Sequence, residues 1–263
     1  MSNQVIHRVQ HVYELLQQAE VSKESITPLT KQYSDLTIDE AYQVQLRMID
    51  YKVQKGQKIV GKKIGLTSVA MQQLLGVDQP DYGHLLDSME VSNMGTINLD
   101  ELFQPKVEGE IAFVLNKDLI GPDVTVEDVL DATEYIAPAL EIVDSRITDW
   151  NITLADTVAD NASSGMFVIG DERYSVTDID LPSIEMNLFK NGERINTGYG
   201  YDVLGHPAKC VAWLANKLSE YNVALKAGEV ILSGALSAAI AAEKGDRFTA
   251  GFSHIGKVEV MFK

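Results

Sequence analysis

Residues 108–115 read EGEIAFVL, an apolar run typical of a buried β-strand that begins with two carboxylates. In an extended strand residues i and i+2 point to the same side, so Glu108 and Glu110 are predicted to lie next to each other. A third carboxylate, Glu141, stands inside a second strand-like run, ALEIV at 139–143. Its apolar neighbours on both sides do not favour an outward position.

Close, partly buried carboxylates must share a proton, find cations or bind a metal. The alternative is that all three are solvated residues on a strand face. A metal accounts for the three together, because three oxygen ligands with open positions suit Mg²⁺ or Mn²⁺. The sequence therefore indicates a metal site with Glu108, Glu110 and Glu141 as ligands.

The chain after Asp100 is rich in strand-like runs separated by turn signals. Asn191-Gly192 is the strongest hairpin signal. Strands and helices do not alternate regularly, so the pattern favours an antiparallel or mixed β-sandwich or barrel with peripheral helices over a doubly wound sheet. The predicted strands are 109–115, 135–143, 166–169, 184–189, 230–232, 247–252 and 258–262, with helices at 125–132 and 207–218.

The N-terminal part is predicted to be helical. Apolar residues recur at helical spacing over residues 5–20, and Thr37 and Glu40 form a capping-box pattern that opens a helix ending at Gly56. A strand at 58–65 and a short helix after Ser68 follow. We expect an α+β protein with a helical portion at 1–57 and a β-rich metal-binding catalytic core at 58–263, together one structural unit.

The composition limits the partners of the 263-residue chain. It has 22 basic and 38 acidic residues, a net charge of −16, which argues against nucleic acid and anionic membranes. An anionic substrate would need local positive charge. With Cys210 alone, neither an intrachain disulfide nor a thiolate zinc site can form. The N-terminus lacks a signal-peptide core and no apolar run approaches about 20 residues, so we expect a soluble cytoplasmic protein.

Several further polar residues are candidates for the site. Lys62 and Lys63 point to opposite sides of their strand, so we expect one in solvent and one facing inward as a charge clamp or proton carrier, unless both are surface residues. Residues 78–83 have the composition of a loop, in which an Asp could simply cap a turn. The polar segment 156–165 either lines a pocket or is a capped loop. The histidines show no metal-ligand spacing.

Seven motifs carry a resemblance that covers essentially the whole chain. They are GKKIGLTS at 61–68, GVDQPDYG at 76–83, EGE at 108–110, DSRITDW at 144–150, DTVADNASS at 156–164, LGHP at 204–207 and ILSG at 231–234. Together they resemble the 2-oxopent-4-enoate hydratases, which belong with the 4-oxalocrotonate decarboxylases in the fumarylacetoacetate hydrolase-like superfamily. The resemblance implies a β-rich metal-binding core with an N-terminal helical portion, a homo-oligomer, and Mg²⁺ or Mn²⁺ at Glu108, Glu110 and Glu141.

The resemblance also implies a reaction, the metal-dependent hydration of 2-hydroxypenta-2,4-dienoate to 4-hydroxy-2-oxopentanoate in meta-cleavage of aromatic compounds. By the same resemblance, Lys63 and Asp81 are the acid/base pair, with their individual roles open. Ser163, Asn161 and Leu85 are expected to bind the substrate, with Ser163 in direct contact and Leu85 supplying an apolar wall.

Four other functions remain open. A 4-oxalocrotonate decarboxylase would share the metal ligands, although the loop ending in Asp81 and the Asp149-Trp150 pair resemble the hydratases. A hydratase of longer dicarboxylic substrates would need a further basic group, which the sequence does not locate. Because related hydratases and decarboxylases form complexes, the chain could instead be an assembly subunit or a binding module.

Overall fold

The computed structural model describes residues 3–68, 72–73 and 76–263. Its helices are α1 (Asn3–Ser22), α2 (Leu29–Gln32), α3 (Ile38–Gln54), α4 (Val126–Ala132), α5 (Leu154–Ala159) and α6 (Pro207–Ser219). Its strands are β1 (Ile59–Gly65), β2 (Asp81–Leu86), β3 (Glu90–Val91), β4 (Gly95–Ile97), β5 (Lys106–Leu115), β6 (Thr133–Val143), β7 (Ser164–Ile169), β8 (Glu185–Lys190), β9 (Glu193–Tyr199), β10 (Val230–Leu232), β11 (Ile240–Ala241), β12 (Arg247–Phe252) and β13 (Gly256–Phe262).

The described strands form two sheets. The larger is a curled half-barrel in the order β2-β1-β10-β5-β6-β7-β3, with β11 paired to β5, and the smaller has the order β4-β13-β12-β8-β9. Strand β1 runs parallel to β10, whereas β5 and β6 form a long antiparallel pair. The mixed α+β architecture predicted from the sequence is confirmed.

The N-terminal helices pack against one another and against helix α5. Thr37 caps α3 by accepting from the backbone N–H of Glu40, whose side chain accepts from Thr37 in return, so the predicted capping box is confirmed. Helix α1 packs against α3, and α3 against α5. Gln45 of α3 joins these layers, because its Nε2 donates to the carbonyl oxygens of Tyr82 in β2 and Val158 in α5, at 3.1 and 2.9 Å.

The predicted hairpin also forms. Asn191 and Gly192 connect β8 to β9 with φ values of 56° and 86°. Both values lie in the left-handed region that a two-residue turn of this kind requires, which explains the Asn-Gly pair. None of the helices in the described part of the chain is long and apolar enough to cross a membrane.

Three local predictions were wrong. Asp81 begins strand β2 rather than lying in a loop, because residues 81–86 pair antiparallel with β1. The capped-loop alternative for the polar segment 156–165 is wrong, because part of this segment is helix α5, which Thr153 and Asp156 cap. Lys62 does not face solvent; it is buried and its Nζ lies 2.7 Å from a carboxylate oxygen of Glu229. The predicted helix after Ser68 falls mostly outside the described residues.

Candidate active site

Three carboxylates meet on the inner face of the half-barrel. Glu108 of β5 and Glu141 of β6 are direct partners in the antiparallel ladder, and Glu110 lies one step along β5 on the same face. One carboxylate oxygen from each residue lies within 4.8 Å of the other two. Glu110 and Glu141 are buried, while Glu108 is partly exposed. Strand parity therefore assembles the cluster as the sequence predicted.

Two oxygens of this cluster have no hydrogen-bond donor among the described residues, Oε1 of Glu110 and Oε2 of Glu141. Oε1 of Glu141 lies 3.1 Å from Nζ of Lys63. Oε2 of Glu110 accepts from the backbone N–H of Gly234 at 2.8 Å. Gly234 has φ +109°, and a Cβ there would collide with the side chain of Thr67, so this close approach requires glycine. The cluster thus contains buried carboxylate oxygens that the described part of the chain only partly supplies with donors.

The electrostatics of the cluster call for a cation. Burial raises the pKa of Glu108 to about 7, and repulsion from Glu141 adds to the effect. Burial likewise raises the pKa of Glu110 well above its usual range, followed by repulsion from Glu141 and Glu108. An all-oxygen donor set with these unpaired atoms fits a hard divalent cation such as Mg²⁺ or Mn²⁺.

Lys63 and Asp81 lie beside the carboxylates, on β1 and β2. Nζ of Lys63 is 3.1 Å from Oε1 of Glu141. Gly65 pairs with Asp81 across the two strands, and a Cβ on Gly65 would collide with the Asp81 carboxylate and lie 3.5 Å from Nζ of Lys63. Glycine at position 65 therefore lets the carboxylate and the ammonium group share one small space.

Burial and neighbouring charges shift the pKa values of both Lys63 and Asp81. Burial lowers the pKa of Lys63, but attraction to Glu141 and then Asp81, with smaller contributions from the other two carboxylates, outweighs it, so the net pKa is raised. Burial raises the pKa of Asp81, and Lys63 opposes that rise. Oδ1 of Asp81 is buried without a hydrogen-bond partner among the described residues. Lys63 therefore holds its proton, and Asp81 offers an open acceptor.

An apolar wall adjoins these polar groups. Leu85 lies on the same face of β2 as Asp81, and it is 1% exposed. It belongs to a buried cluster that also contains Leu232, Ala112, Ala139 and Phe167. The low polarity of this surface strengthens the electrostatic interactions beside it.

A strained turn brings Ser163 and Asn161 to the edge of β2. Residues 161–163 all have left-handed φ values, between 50° and 53°, which cost non-glycine residues about 1–2 kcal/mol each. The ion pair of Arg146 with Asp160 holds the turn, and Arg146 also donates through Nη1 to the carbonyl oxygen of Ser164 at 3.0 Å. Burial raises the pKa of Asp160 to about 6 despite attraction to Arg146.

The two predicted substrate-binding residues in this turn, Asn161 and Ser163, have different surroundings. The Asn161 amide is engaged by the backbone of His84: Oδ1 accepts from its N–H at 2.8 Å and Nδ2 donates to its carbonyl oxygen at 2.9 Å. Asn161 therefore extends the edge of β2 like a short strand. The Ser163 hydroxyl lies 3.2 Å from Oγ1 of Thr157 and is buried.

Sequence reasoning missed several residues of the site. Ser233 and Gly234 come from the segment after β10, whose approach to β5 is a long-range contact; the buried Ser233 hydroxyl has no hydrogen-bond partner in the described part of the chain. Lys106 lies on the same face of β5 as Glu108, and its ammonium group sits over the ring of Trp150. Burial lowers the pKa of Lys106, with attraction to Glu108 opposing. Strand parity at positions 106, 108 and 110 was a signal that could have identified Lys106.

Comparison with known proteins places this fold and site in a family. The family model described as "Fumarylacetoacetate (FAA) hydrolase C-terminal" matches residues 87–263. The chain therefore belongs to the fumarylacetoacetate hydrolase family.

Within this family, the chain is similar to named hydratases and to a decarboxylase of known structure. The chain is 47% identical to a 2-hydroxyhexa-2,4-dienoate hydratase of Comamonas testosteroni, over 96% of this chain and 95% of that protein. It is 50% identical to a 2-hydroxypent-2,4-dienoate hydratase of Pseudomonas putida, over 80% and 95%. Among solved structures, it is similar to 4-oxalocrotonate decarboxylase from Pseudomonas putida G7 in complex with magnesium and adipate. That structure gives a TM-score of 0.95 at 36% identity, with 98% of each chain covered.

Proposed function

We propose that this protein is a divalent-metal-dependent hydro-lyase that converts 2-hydroxypenta-2,4-dienoate to 4-hydroxy-2-oxopentanoate in the meta-cleavage breakdown of aromatic compounds. The observation that carries the proposal is the cluster of Glu108, Glu110 and Glu141 with the Lys63–Asp81 pair beside it. The names of relatives at 47% and 50% identity support the substrate class.

Glu108, Glu110 and Glu141 are proposed to hold Mg²⁺ or Mn²⁺. The support is their all-oxygen donor set, the unpaired oxygens and the magnesium bound by the similar decarboxylase. When bound, such an ion supplies Lewis acidity that stabilises negative charge on the 2-oxygen of a 2-oxo acid.

Lys63 and Asp81 are proposed to move protons. Hydration requires a proton for the carbon chain and an acceptor for a proton of the attacking water. Because neighbouring carboxylates keep Lys63 protonated, its Nζ is assigned as the donor. Oδ1 of Asp81 lacks a hydrogen-bond partner in the described part of the chain, so it is assigned as the acceptor.

The remaining predicted contacts orient the substrate. The Ser163 hydroxyl is proposed to contact it directly, and Leu85 to pack along its unsaturated carbons and exclude water. Since both polar ends of the Asn161 amide are used by His84, Asn161 is proposed to act through its neighbours, by fixing the turn that carries Ser163.

A second candidate is 4-oxalocrotonate decarboxylase. It is favoured by the similarity to the decarboxylase structure, which extends over 98% of both chains. The hydratase is preferred because two curated hydratases share 47% and 50% identity with this chain, compared with 36% for that decarboxylase. A hydratase of longer dicarboxylic substrates would share the same metal ligands.

The assembly and location of the protein are further proposals. We propose a cytoplasmic homo-oligomer that can form a complex with a related decarboxylase. The support is the family resemblance, the acidic composition and the single buried cysteine, Cys210. Size-exclusion chromatography with light scattering, alone and with the decarboxylase, tests the assembly.

The function is tested by offering two substrates to the purified full chain with Mg²⁺. We expect 4-hydroxy-2-oxopentanoate from freshly generated 2-hydroxypenta-2,4-dienoate, identified by NMR, and no carbon dioxide from 4-oxalocrotonate. Release of carbon dioxide with no hydration would instead assign the decarboxylase. Inactivity toward both, together with turnover of a longer dicarboxylic dienoate, would assign the third substrate class.

A further inference from the structure

Lys106 is a basic residue on the face of β5 that carries Glu108 and Glu110, and the proposed reaction gives it no role. It is the first residue of β5 and pairs with Val143 of β6, so it points to the same side as Glu108 two positions later. Its side chain is partly exposed, unlike that of Lys63. Lys106 therefore lies at the accessible margin of the carboxylate cluster.

Trp150 holds the Lys106 ammonium group in place. Nζ of Lys106 is 4.3 Å from the ring centroid of Trp150, a cation–π geometry. The indole Nε1 donates to the carbonyl oxygen of Gln104 at 3.1 Å, and the Gln104 amide donates to the carbonyl oxygens of Ser145 and Ile147. These hydrogen bonds hold the Trp150 turn against the residues that precede β5 and fix the position of the indole ring that the Lys106 ammonium group contacts.

The turn that carries Trp150 is itself unusual. Asp149 and Trp150 both have left-handed φ values, 57° and 54°, which non-glycine residues seldom adopt in succession. The Gln104 contacts hold this conformation, and its consequence is to present the indole face toward Lys106. The placement of the ammonium group is thus built into the fold.

Without Lys106, the charged groups of the site supply no net positive charge for an anionic substrate. Lys63 and a divalent cation together balance the three glutamates, so an anionic substrate meets no net positive charge from them. Asp81 adds a further carboxyl group, and the whole chain carries a net charge of −16. Lys62 and Arg146 form ion pairs with Glu229 and Asp160, whereas Lys106 forms no ion pair with the described residues and its ammonium group lies over the Trp150 ring.

The strand register gives the direction in which a substrate would lie. Lys63 of β1 pairs with Leu232 of β10, and Leu232 pairs in turn with Ala112 of β5. Ala112 lies four residues after Glu108 along β5. Lys106 is two residues before Glu108. The carboxylates therefore lie between the proton-transfer pair on one side and the Lys106 ammonium group on the other.

We propose that Lys106, positioned by Trp150, binds the C1 carboxylate of the 2-hydroxy-dienoate or 2-oxo acid while the reacting carbons point toward Lys63 and Asp81. This inference rests on the proposed function. It makes Lys106 a substrate-binding residue and Trp150 a positioning residue. A distal carboxylate of a longer substrate is the competing ligand for Lys106.

The test measures binding rather than turnover, using the Mn²⁺-loaded full chain and the unreactive monocarboxylate 2-oxopentanoate in isothermal titration calorimetry. For Lys106→Met we expect the dissociation constant to rise at least about tenfold, the scale of one lost charge-assisted contact. Lys106→Arg should bind within about threefold of wild type. Lys244→Met is the matched control, because Lys244 is exposed and the change in net charge is the same.

Two further measurements separate a binding role from a structural one. Mn²⁺ affinity should not fall in Lys106→Met, because the variant removes a cation near Glu108. Trp150→Leu should weaken 2-oxopentanoate binding, and Trp150→Phe should restore most of it by returning an aromatic face. In turnover assays the Lys106→Met change should appear mainly in KM.

Each contrary outcome has a separate meaning. Equal 2-oxopentanoate binding by Lys106→Met and wild type would overturn the inference, as would a parallel loss of Mn²⁺ affinity. In a second titration with the dicarboxylate adipate, weaker binding by Lys106→Met of adipate but not of 2-oxopentanoate would assign Lys106 to a distal carboxylate and would also overturn the inference. If wild-type protein binds Mn²⁺ but no 2-oxo acid, the proposed function itself fails.

Discussion

Lys63 on β1 reaches Glu141 on β6, with Nζ 3.1 Å from Oε1, although β10 and β5 lie between the two strands. Adjacent strands are spaced about 4.8 Å apart, so a flat sheet would separate these backbones by about 14 Å. The contact therefore depends on the curl of the larger sheet. Curling brings Lys63 from near one end of the sheet to the carboxylates in its middle.

Replacing Lys63 should separate metal binding from catalysis. For Lys63→Ala we expect retained Mn²⁺ binding and loss of most hydratase turnover, since the variant removes the assigned proton donor but none of the three glutamates. Lys62→Met is a matched control, because Lys62 lies next in sequence but points to the opposite face and pairs with Glu229. Near-normal turnover in Lys63→Ala would remove Lys63 from the mechanism.

The turn that carries Ser163 should depend on Arg146. Arg146→Met leaves the Asp160 carboxylate buried without its ion-pair partner, which we expect to lower the free energy of unfolding by about 3–5 kcal/mol. The double variant Arg146→Met/Asp160→Asn should recover part of that loss. Urea unfolding measures both. A single variant as stable as wild type would show that the ion pair does not hold the turn.

Replacing Ser163 should lower kcat/KM for the substrate without changing the affinity for Mn²⁺. For Ser163→Ala we expect at least about a tenfold loss in kcat/KM, the scale of one hydrogen bond to a charged group, with Mn²⁺ affinity unchanged. Thr157→Val removes the neighbouring hydroxyl 3.2 Å away and serves as the control. If the control loses as much activity as Ser163→Ala, the direct contact is not supported.

His84 should make the protein sensitive to acid. Burial, with some repulsion from Lys62, lowers the pKa of His84 to about 3 from an unfolded value of about 6.5. Between these values the unfolded state binds a proton that the folded state does not. Stability is therefore full above about pH 6.5 and falls toward pH 3, with a slope approaching about 1.4 kcal/mol per pH unit.

The test compares unfolding of wild type and His84→Gln from pH 7 to pH 4. The variant should lack this part of the slope, because glutamine stays neutral. The exposed His7 on α1 provides the control substitution His7→Gln. Identical pH profiles for wild type and His84→Gln would contradict the buried, neutral state of His84.

Local patterns predicted much of this molecule. Two-residue periodicity placed Glu108 and Glu110 on one face, and the capping box and the Asn191-Gly192 turn formed as predicted. These features depend on interactions within a few residues of the chain.

Features that depend on distant segments were missed. Asp81 and its neighbours have turn-like composition but become a strand because β1 lies beside them. Lys62 is buried because Glu229 approaches from another part of the chain. The contact of Lys106 with Trp150 and that of Gly234 with Glu110 likewise join segments far apart in sequence.

The most direct test of the metal-dependent site is a paired measurement of Mn²⁺ binding and dienoate hydration for wild type and Glu108→Gln. An amide cannot replace the anionic ligand, so we expect Mn²⁺ affinity to fall at least about tenfold and hydration to fall with it. The exposed Glu193→Gln should leave both unchanged. Unaltered Mn²⁺ affinity and hydration in Glu108→Gln would contradict the proposed metal site.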